Sequence, residues 1–187
     1  TDMAPLGSEK DLRAYRKKLL DGRPKDRREI AVCAGTGCKA FGSFSLLDAF
    51  RDELRAQGLE KKIELRPTGC HGFCERGPLV LFFPGGLLYQ RVKPADVKEI
   101  VETTVKGGAV IPRLLVEDPV TKQTFEKEKD VPFFRHQHRL VLKNNGLINP
   151  TAIDDYVAIG GYDALAKALA MGPDAVVAEV KKANLRG

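Results

Sequence analysis

The chemistry open to this sequence sits on four cysteines that come in two pairs. Cys33 and Cys38 stand in "VCAGTGC" with four residues between them, and Cys70 and Cys74 stand in "TGCHGFCERG" with three between them; the chain has no other cysteine. Each pair follows a short apolar run and lies among glycines. Thiolates are soft metal ligands and nucleophiles, so two such loops brought together would make one metal or redox site.

Several uses of such a site compete. Tetrahedral zinc is the plainest, although structural zinc most often uses tight two-residue knuckles and has little need of glycine. A thioredoxin-like dithiol requires Cys-x-x-Cys, which neither loop contains. Disulfides depend on the compartment. The N-terminal "TDMAPLGSEKDLRAYRKKLL" lacks the apolar stretch of a secretory signal, and no run approaches the roughly 18 to 20 apolar residues that span a bilayer. A cytoplasmic, reducing setting is therefore expected, which disfavours disulfides. The remaining use is a 2Fe-2S cluster held by four cysteines.

The glycines favour the cluster. An oxidised 2Fe-2S centre with thiolate ligands is a dianion and becomes more negative on reduction, so it needs donors that do not themselves titrate. Gly35, Gly37, Gly69 and Gly72 are the candidates: glycine tolerates positive φ and close approach, letting backbone N–H groups turn toward sulfur as in an anion nest. Lys39, Arg66 and Arg76 are candidate outer cations, with a solvated surface role equally open to each. Cys33, Cys38, Cys70 and Cys74 are the candidate metal ligands, and zinc remains the competing occupant at this point. No residue is singled out as catalytic.

Other polar residues offer less. His71 adjoins Cys70, but with four cysteines present no Rieske-type histidine ligation is required, and an outer-sphere or exposed role is expected. His136 and His138 alternate as on a strand without a carboxylate or cysteine nearby to complete a metal set. No P-loop or Gly-x-Ser-x-Gly motif is present. The net charge of +6 raises nucleic acid as a partner, but residues 9 to 29 hold nine Lys or Arg against five Asp or Glu with Tyr15 as the single aromatic. That mixed balance, without stacking platforms or a helix-turn-helix pattern, argues against nucleic acid and for a solvated or partner-facing helix.

The elements that must position the cysteines are readable. Residues 9 to 20 form a helix capped by Ser8. "EIAVCAG" is a strand entering the first cysteine loop; "SFSLLDAFRDELRAQG" is a helix with Leu46, Leu47, Phe50 and Leu54 on one face, a capping box from Ser45 to Asp48, and Gly58 as its stop. "KKIELRPTG" is a strand entering the second loop, and "PLVLFFPGGLLYQRV" is a hairpin turning at Pro84, Gly85 and Gly86. Pro94 opens a helix whose buried stripe is Val97, Ile100, Val101, Thr104 and Val105, ending at Gly107. The order β-α-β-β-β-α places the first two strands parallel through a right-handed crossover, so that both cysteine loops leave the same sheet edge. Residues 109 to 132 read as a connector that wraps the domain. Short helices follow at Pro150 to Ile159, Tyr162 to Met171 and Pro173 to about Ala183, too small a set to fold alone.

These motifs resemble a known family. "CAGTGC", "RPTGCHGFCERGP" and "YQRVKPADVKEIVE" are similar to the thioredoxin-like 2Fe-2S ferredoxin domain, over about residues 28 to 110. The segment "FFRHQHRLVLKNNGLINPTAIDDYVAIGGYDALAKAL", continuing to residue 187, resembles the start of the flavin-bearing NAD(P)H-oxidising subunit of complex I and of multimeric hydrogenases and formate dehydrogenases. The resemblance implies an α/β fold with helical extensions, arranged as a basic helical extension at 1–27, the ferredoxin domain at 28–110, a linker at 111–132 and the beginning of a flavin-subunit domain at 133–187. It implies ligation of a 2Fe-2S cluster by Cys33, Cys38, Cys70 and Cys74. FMN, NAD(P)H and a 4Fe-4S cluster belong to the part of such a subunit beyond Leu185, Arg186 and Gly187. The expectation is one-electron transfer to other redox subunits, by a chain that lacks the flavin and nicotinamide sites of an enzyme; a zinc-stabilised interaction module is the alternative.

Overall fold

A computed structural model describes residues 5 to 24, 27 to 184 and 186; Leu185 and Gly187 of the terminal Leu-Arg-Gly lie outside the described residues. The chain divides into two compact units, residues 24–150 and residues up to 23 together with those from 151 onward.

The larger unit is built on a four-stranded sheet. Its strands are β1 (Arg28–Cys33), β2 (Ile63–Thr68), β3 (Val80–Phe83) and β4 (Leu87–Tyr89), in the order β2-β1-β3-β4. β1 and β2 are parallel, in register from Arg28 opposite Ile63 to Cys33 opposite Thr68, whereas β3 runs antiparallel to both β1 and β4. The crossover between β1 and β2 carries a short helix α2 (Thr36–Ala40) and the long helix α3 (Ser43–Ala56). The first cysteine loop is thus partly helical, because the chain turns directly from β1 into α2. α3 starts three residues earlier than a Ser45–Asp48 box allows: Gly42, at φ +87°, is its cap, and Ser45 lies inside the first turn. Its end is as read, with Gly58 at φ +65° and the Leu59 N–H returning to Leu54 O at 2.8 Å.

Two apolar layers pack on the sheet. Ile30 and Val32 of β1 join Leu46, Phe50 and Leu54 of α3 and Ile100, Val101 and Val105 of the later helix on one face. Ala31 and Cys33 point to the other face, where Leu81, Leu88, Val116, Val131 and Phe134 cover them. β1 is therefore buried on both sides, which is why it reads as an apolar run rather than an alternating one. Val116, Val131 and Phe134 cover this second face while Ile111, Leu114 and Leu115 join the first, so residues 111–134 wrap the domain; the segment also adds a small hairpin of β5 (Val116–Glu117) and β6 (Thr124–Phe125) and a helical turn α5 (Pro132–Arg135). The helix opened by Pro94 is composite: a 3-10 turn at Pro94–Asp96, α4 (Val97–Ile100) and a π-helical stretch Val101–Lys106. Thr104, buried in that stretch, shares a hydrogen bond of 2.8 Å with the Tyr89 hydroxyl, which also accepts from Ile111 N–H at 2.8 Å. Residues 135–150 belong to this compact unit, which ends at Pro150.

The smaller unit joins the two ends of the chain. α1 (Glu9–Asp21) is capped by Ser8, whose hydroxyl accepts from Asp11 N–H at 3.2 Å, and it packs with α6 (Ile153–Ala158) and α7 (Asp163–Met171), while α8 (Pro173–Ala183) packs on α7. α6 begins at Ile153, later than read, while the other two spans match closely. α1 is not a free basic arm. Arg16 donates to Asp163 at 2.5 and 2.9 Å and to Val157 O at 2.8 Å, Tyr15 donates to Asp154 at 2.6 Å, and Arg23 pairs with Asp155. The helix read as solvated or partner-facing thus meets acidic residues of its own chain, Asp154, Asp155 and Asp163.

Candidate metal centre

Parallel pairing of β1 with β2 sets the site. Cys33 ends β1 opposite Thr68, the last residue of β2, and the Ala34 N–H closes the gap by donating to Thr68 O at 2.8 Å. Both cysteine loops accordingly leave the sheet at one edge. Cys33 and Cys38 are buried, Cys70 is half-buried and Cys74 is exposed. Cys38 sits in α2, and Cys74 opens a 3-10 turn, Cys74–Arg76.

The sulfurs lie against glycine. A Cβ added at Gly35 would stand 2.7 Å from Cys70 Cβ and 3.1 Å from its Sγ, and one at Gly37 would stand 3.2 Å from Cys74 Sγ. Gly77, unsuspected from the sequence, leaves room in the same way for Cys38 Sγ, 2.7 Å from a Cβ placed there. Each loop thus provides the space occupied by the cysteines of the other. Of the four glycines picked out by sequence, only Gly72 takes a positive φ, at +81°; the others matter for close approach instead.

Backbone donors are present but differently distributed. Gly72 N–H donates to Cys70 Sγ at 3.3 Å. The amides of Gly35 and His71 are directed at Cys33, and that of Leu79 at Cys38. Gly69 presents its carbonyl oxygen to Cys33 Sγ at 3.8 Å, and among the described residues no donation to sulfur is found from Gly69 or Gly37. Hydrogen bonding from Cys38 and then from these amides, against the opposing effect of burial, pushes the Cys33 thiol down to about 5; Cys38, which holds the shared proton, is pushed up. Burial raises Cys70, although Gly72 N–H pulls the other way. Cys33 is therefore ready as a thiolate, the form that binds metal.

The charged residues around this edge divide. Arg66 is buried and committed to Glu29 at 2.8 Å and Gly146 O at 2.9 Å, so it is a structural group rather than an outer cation. Lys39 lies over the Phe44 ring at 5.2 Å; Arg76 reaches Glu75 at 3.1 Å and Gln90 at 3.4 Å. His71 is buried with Nδ1 2.8 Å from Glu128 Oε1, so the outer-sphere reading fits and the exposed one does not. Burial would push Glu128 up, but His71 and Arg139 outweigh it and hold the carboxyl below its usual range. His136 and His138 are exposed on a separate stretch and do not join the cysteines.

The donor set fits a binuclear group. Cys70 and Cys74 sulfurs are 4.0 Å apart, and Cys33 and Cys38 are close enough to share a proton. No group of three or more His, Cys, Asp or Glu side chains among the described residues is arranged around a single ion. Two sulfur pairs at one glycine-lined edge would hold a binuclear iron–sulfur group through Cys33, Cys38, Cys70 and Cys74, which would supply a one-electron couple.

Comparison with known proteins agrees. The sequence profile of the thioredoxin-like [2Fe-2S] ferredoxins matches residues 15–105. A 2Fe-2S ferredoxin of Clostridium pasteurianum is 35% identical over 79 residues, 42% of this chain and 78% of the relative. One from Aquifex aeolicus is 39% identical over 80 residues, 42% of this chain and 72% of the relative. The HndC subunit of an NADP-reducing hydrogenase of Solidesulfovibrio fructosivorans is 49% identical over 53 residues, 28% of this chain but 11% of that subunit. With its paired cysteines, its mixed sheet and relatives of this kind, the chain belongs to the thioredoxin-like [2Fe-2S] ferredoxins, electron-transfer proteins that carry a 2Fe-2S cluster.

Proposed function

We propose that Cys33 and Cys38 hold one iron of the cluster and Cys70 and Cys74 the other, and that the chain relays single electrons in the cytoplasm between redox subunits of a hydrogenase-type, NAD(P)H-dependent complex. The observation that carries this reading is the meeting of two glycine-cradled sulfur pairs at one sheet edge, with Cys74 exposed. When bound, the cluster supplies a one-electron couple. The chain's own residues do the rest: Gly35, Gly72, His71 and Leu79 offer amides to sulfur, Ala31, Leu79 and Leu81 keep the inner pair dry, and Cys74 gives a partner access from solvent.

The finer assignment to a hydrogenase-type complex draws on the similarity to HndC and on the resemblance of residues 133–187 to a flavin-bearing subunit. On that reading residues 111–132 are the linker between the ferredoxin domain and the flavin-subunit segment, and FMN, NAD(P)H and a 4Fe-4S cluster belong to the flavin-bearing part of the assembly. Among the described residues no helix is long and apolar enough to cross a membrane.

Anaerobic titration with dithionite tests the relay. Uptake of about one electron per chain with bleaching of the visible spectrum is expected. A colourless protein that takes up no electron and holds zinc would establish an interaction module instead.

A further inference from the structure

We propose that Asn145, on a segment far from the cysteines in sequence, is a positioning residue for the cluster: it holds the Cys70 carbonyl and so fixes the turn in which the Gly72 N–H donates to the Cys70 sulfur. This rests on reading Cys33 and Cys70 as cluster ligands. The Asn145 Nδ2–H donates to Cys70 O at 2.6 Å. A trans peptide is planar, with C=O and N–H pointing in opposite directions, so fixing one fixes the other. Two residues on from the held carbonyl, the Gly72 N–H donates to Cys70 Sγ at 3.3 Å. One side-chain amide therefore sets the peptide that follows the Cys70 ligand and, through it, the turn that brings a donor to its sulfur.

Asn145 is itself held on every side. Its carboxamide lies where a Cβ on Gly69 would stand, so only glycine at 69 admits it. The next residue, Gly146, donates its N–H to Thr68 Oγ1 at 2.6 Å and accepts from the buried Arg66 at 2.9 Å. Gly146 has φ +91°, and a Cβ there would come within 2.7 Å of His71 Cε1. The His71 ring is pinned from its far side by Glu128, to which Arg139 also donates at 3.2 Å. Glu128, Arg139, Asn145 and Gly146 all lie outside the residues 15–105 that the family profile covers. They form a clasp added to the ferredoxin core, and it closes on the second cysteine loop.

Amide donors to sulfur favour the more negative, reduced state, so weakening the Gly72 donor lowers the reduction potential. The test uses the full chain with its cluster reconstituted anaerobically from iron and sulfide. It compares wild type with Asn145→Asp, which keeps the shape but sets an acceptor against the carbonyl, with Asn145→Ala, and with Leu147→Ala, an exposed neighbour on the same segment. Midpoint potentials and g-values come from paramagnetic resonance during redox titration, and iron release to a chelator is followed in parallel. Both Asn145 variants are expected to shift to lower potential with altered g-values and to release iron on the order of tenfold faster, while Leu147→Ala matches wild type. General loosening alone would speed iron release without moving the potential, and that result would overturn the proposal, as would unchanged values throughout. A wild-type chain that takes up no 2Fe-2S cluster would overturn the ligand reading itself, which the variants cannot mimic.

Discussion

The two cysteine pairs are held by different means. Cys33 and Cys38 are part of the folded core: one ends a strand buried on both faces, the other sits in a helix beside Leu79, and both are closed off from water. Cys70 and Cys74 lie on a loop whose shape is imposed from outside, by Glu128, Asn145 and Gly146, and whose far end is exposed. The inner pair thus inherits the stability of the sheet, and the outer pair depends on a clasp that can be altered without touching the core. On the proposed reading, electrons enter and leave through the outer pair, where Cys74 is exposed.

The sharpest way to break this contrast is at the contact between the loops. Gly35→Ala places a methyl 2.7 Å from Cys70 Cβ at a backbone position, φ −62°, that alanine adopts freely. Only the space between the pairs is at stake, and loss of most bound iron is expected, read by iron analysis of reconstituted protein; full occupancy would show that the gap is wider than described.

Next is access. In the metal-free protein Cys74 is expected to react with iodoacetamide on the order of tenfold or more faster than Cys33, since a modest local opening energy already slows a buried group by that factor. The lowered pKa of Cys33 works the other way by raising its thiolate fraction, but nucleophilicity falls along with it, so burial decides. Peptide mapping of the alkylated chain reads the order, and first labelling at Cys33 would reverse the assignment of inner and outer.

Acid should act on the outer pair first. Glu128 has its carboxyl held below the usual range in the folded state, so its contribution to stability is full above the ordinary carboxylate value and is lost as the pH falls through the lowered one. Glu128→Gln should therefore lower stability at neutral pH and flatten the acid limb of the unfolding curve. An unchanged acid limb would remove Glu128 from the clasp.

The smallest effect is predicted at Gly72. Its φ of +81° penalises a side chain, but a Cβ there meets nothing within 4 Å. Gly72→Ala should cost about 1 kcal/mol of stability and keep the cluster, in contrast to Gly35→Ala, when both are compared by thermal unfolding and iron content.

Much of this site was legible in the sequence because its determinants are local. The spacing of Cys33, Cys38, Cys70 and Cys74, the apolar runs before each loop and the intervening helix suffice to bring both pairs to one edge of a parallel pair of strands. The role of the glycines was legible only in part: Gly35 and Gly37 serve to leave room for sulfurs of the other loop, a fact of tertiary packing. Gly77 and the Leu79 amide gave no signal because they face Cys38 from a loop distant in sequence. The clasp was illegible for the same reason, since Asn145 and Cys70 are 75 residues apart and an asparagine followed by glycine reads as an ordinary turn. The pairing of α1 with α6 and α7 joins the chain's two ends and leaves no local trace beyond complementary charge.

The central claim, that the facing sulfur pairs hold a 2Fe-2S cluster, is tested most directly by iron and acid-labile sulfide analysis of anaerobically purified protein with paramagnetic resonance before and after reduction. About two irons and two sulfides per chain, with a spin-one-half signal that appears only on reduction, is the predicted result. One zinc, no sulfide and no signal in protein kept from air would contradict it.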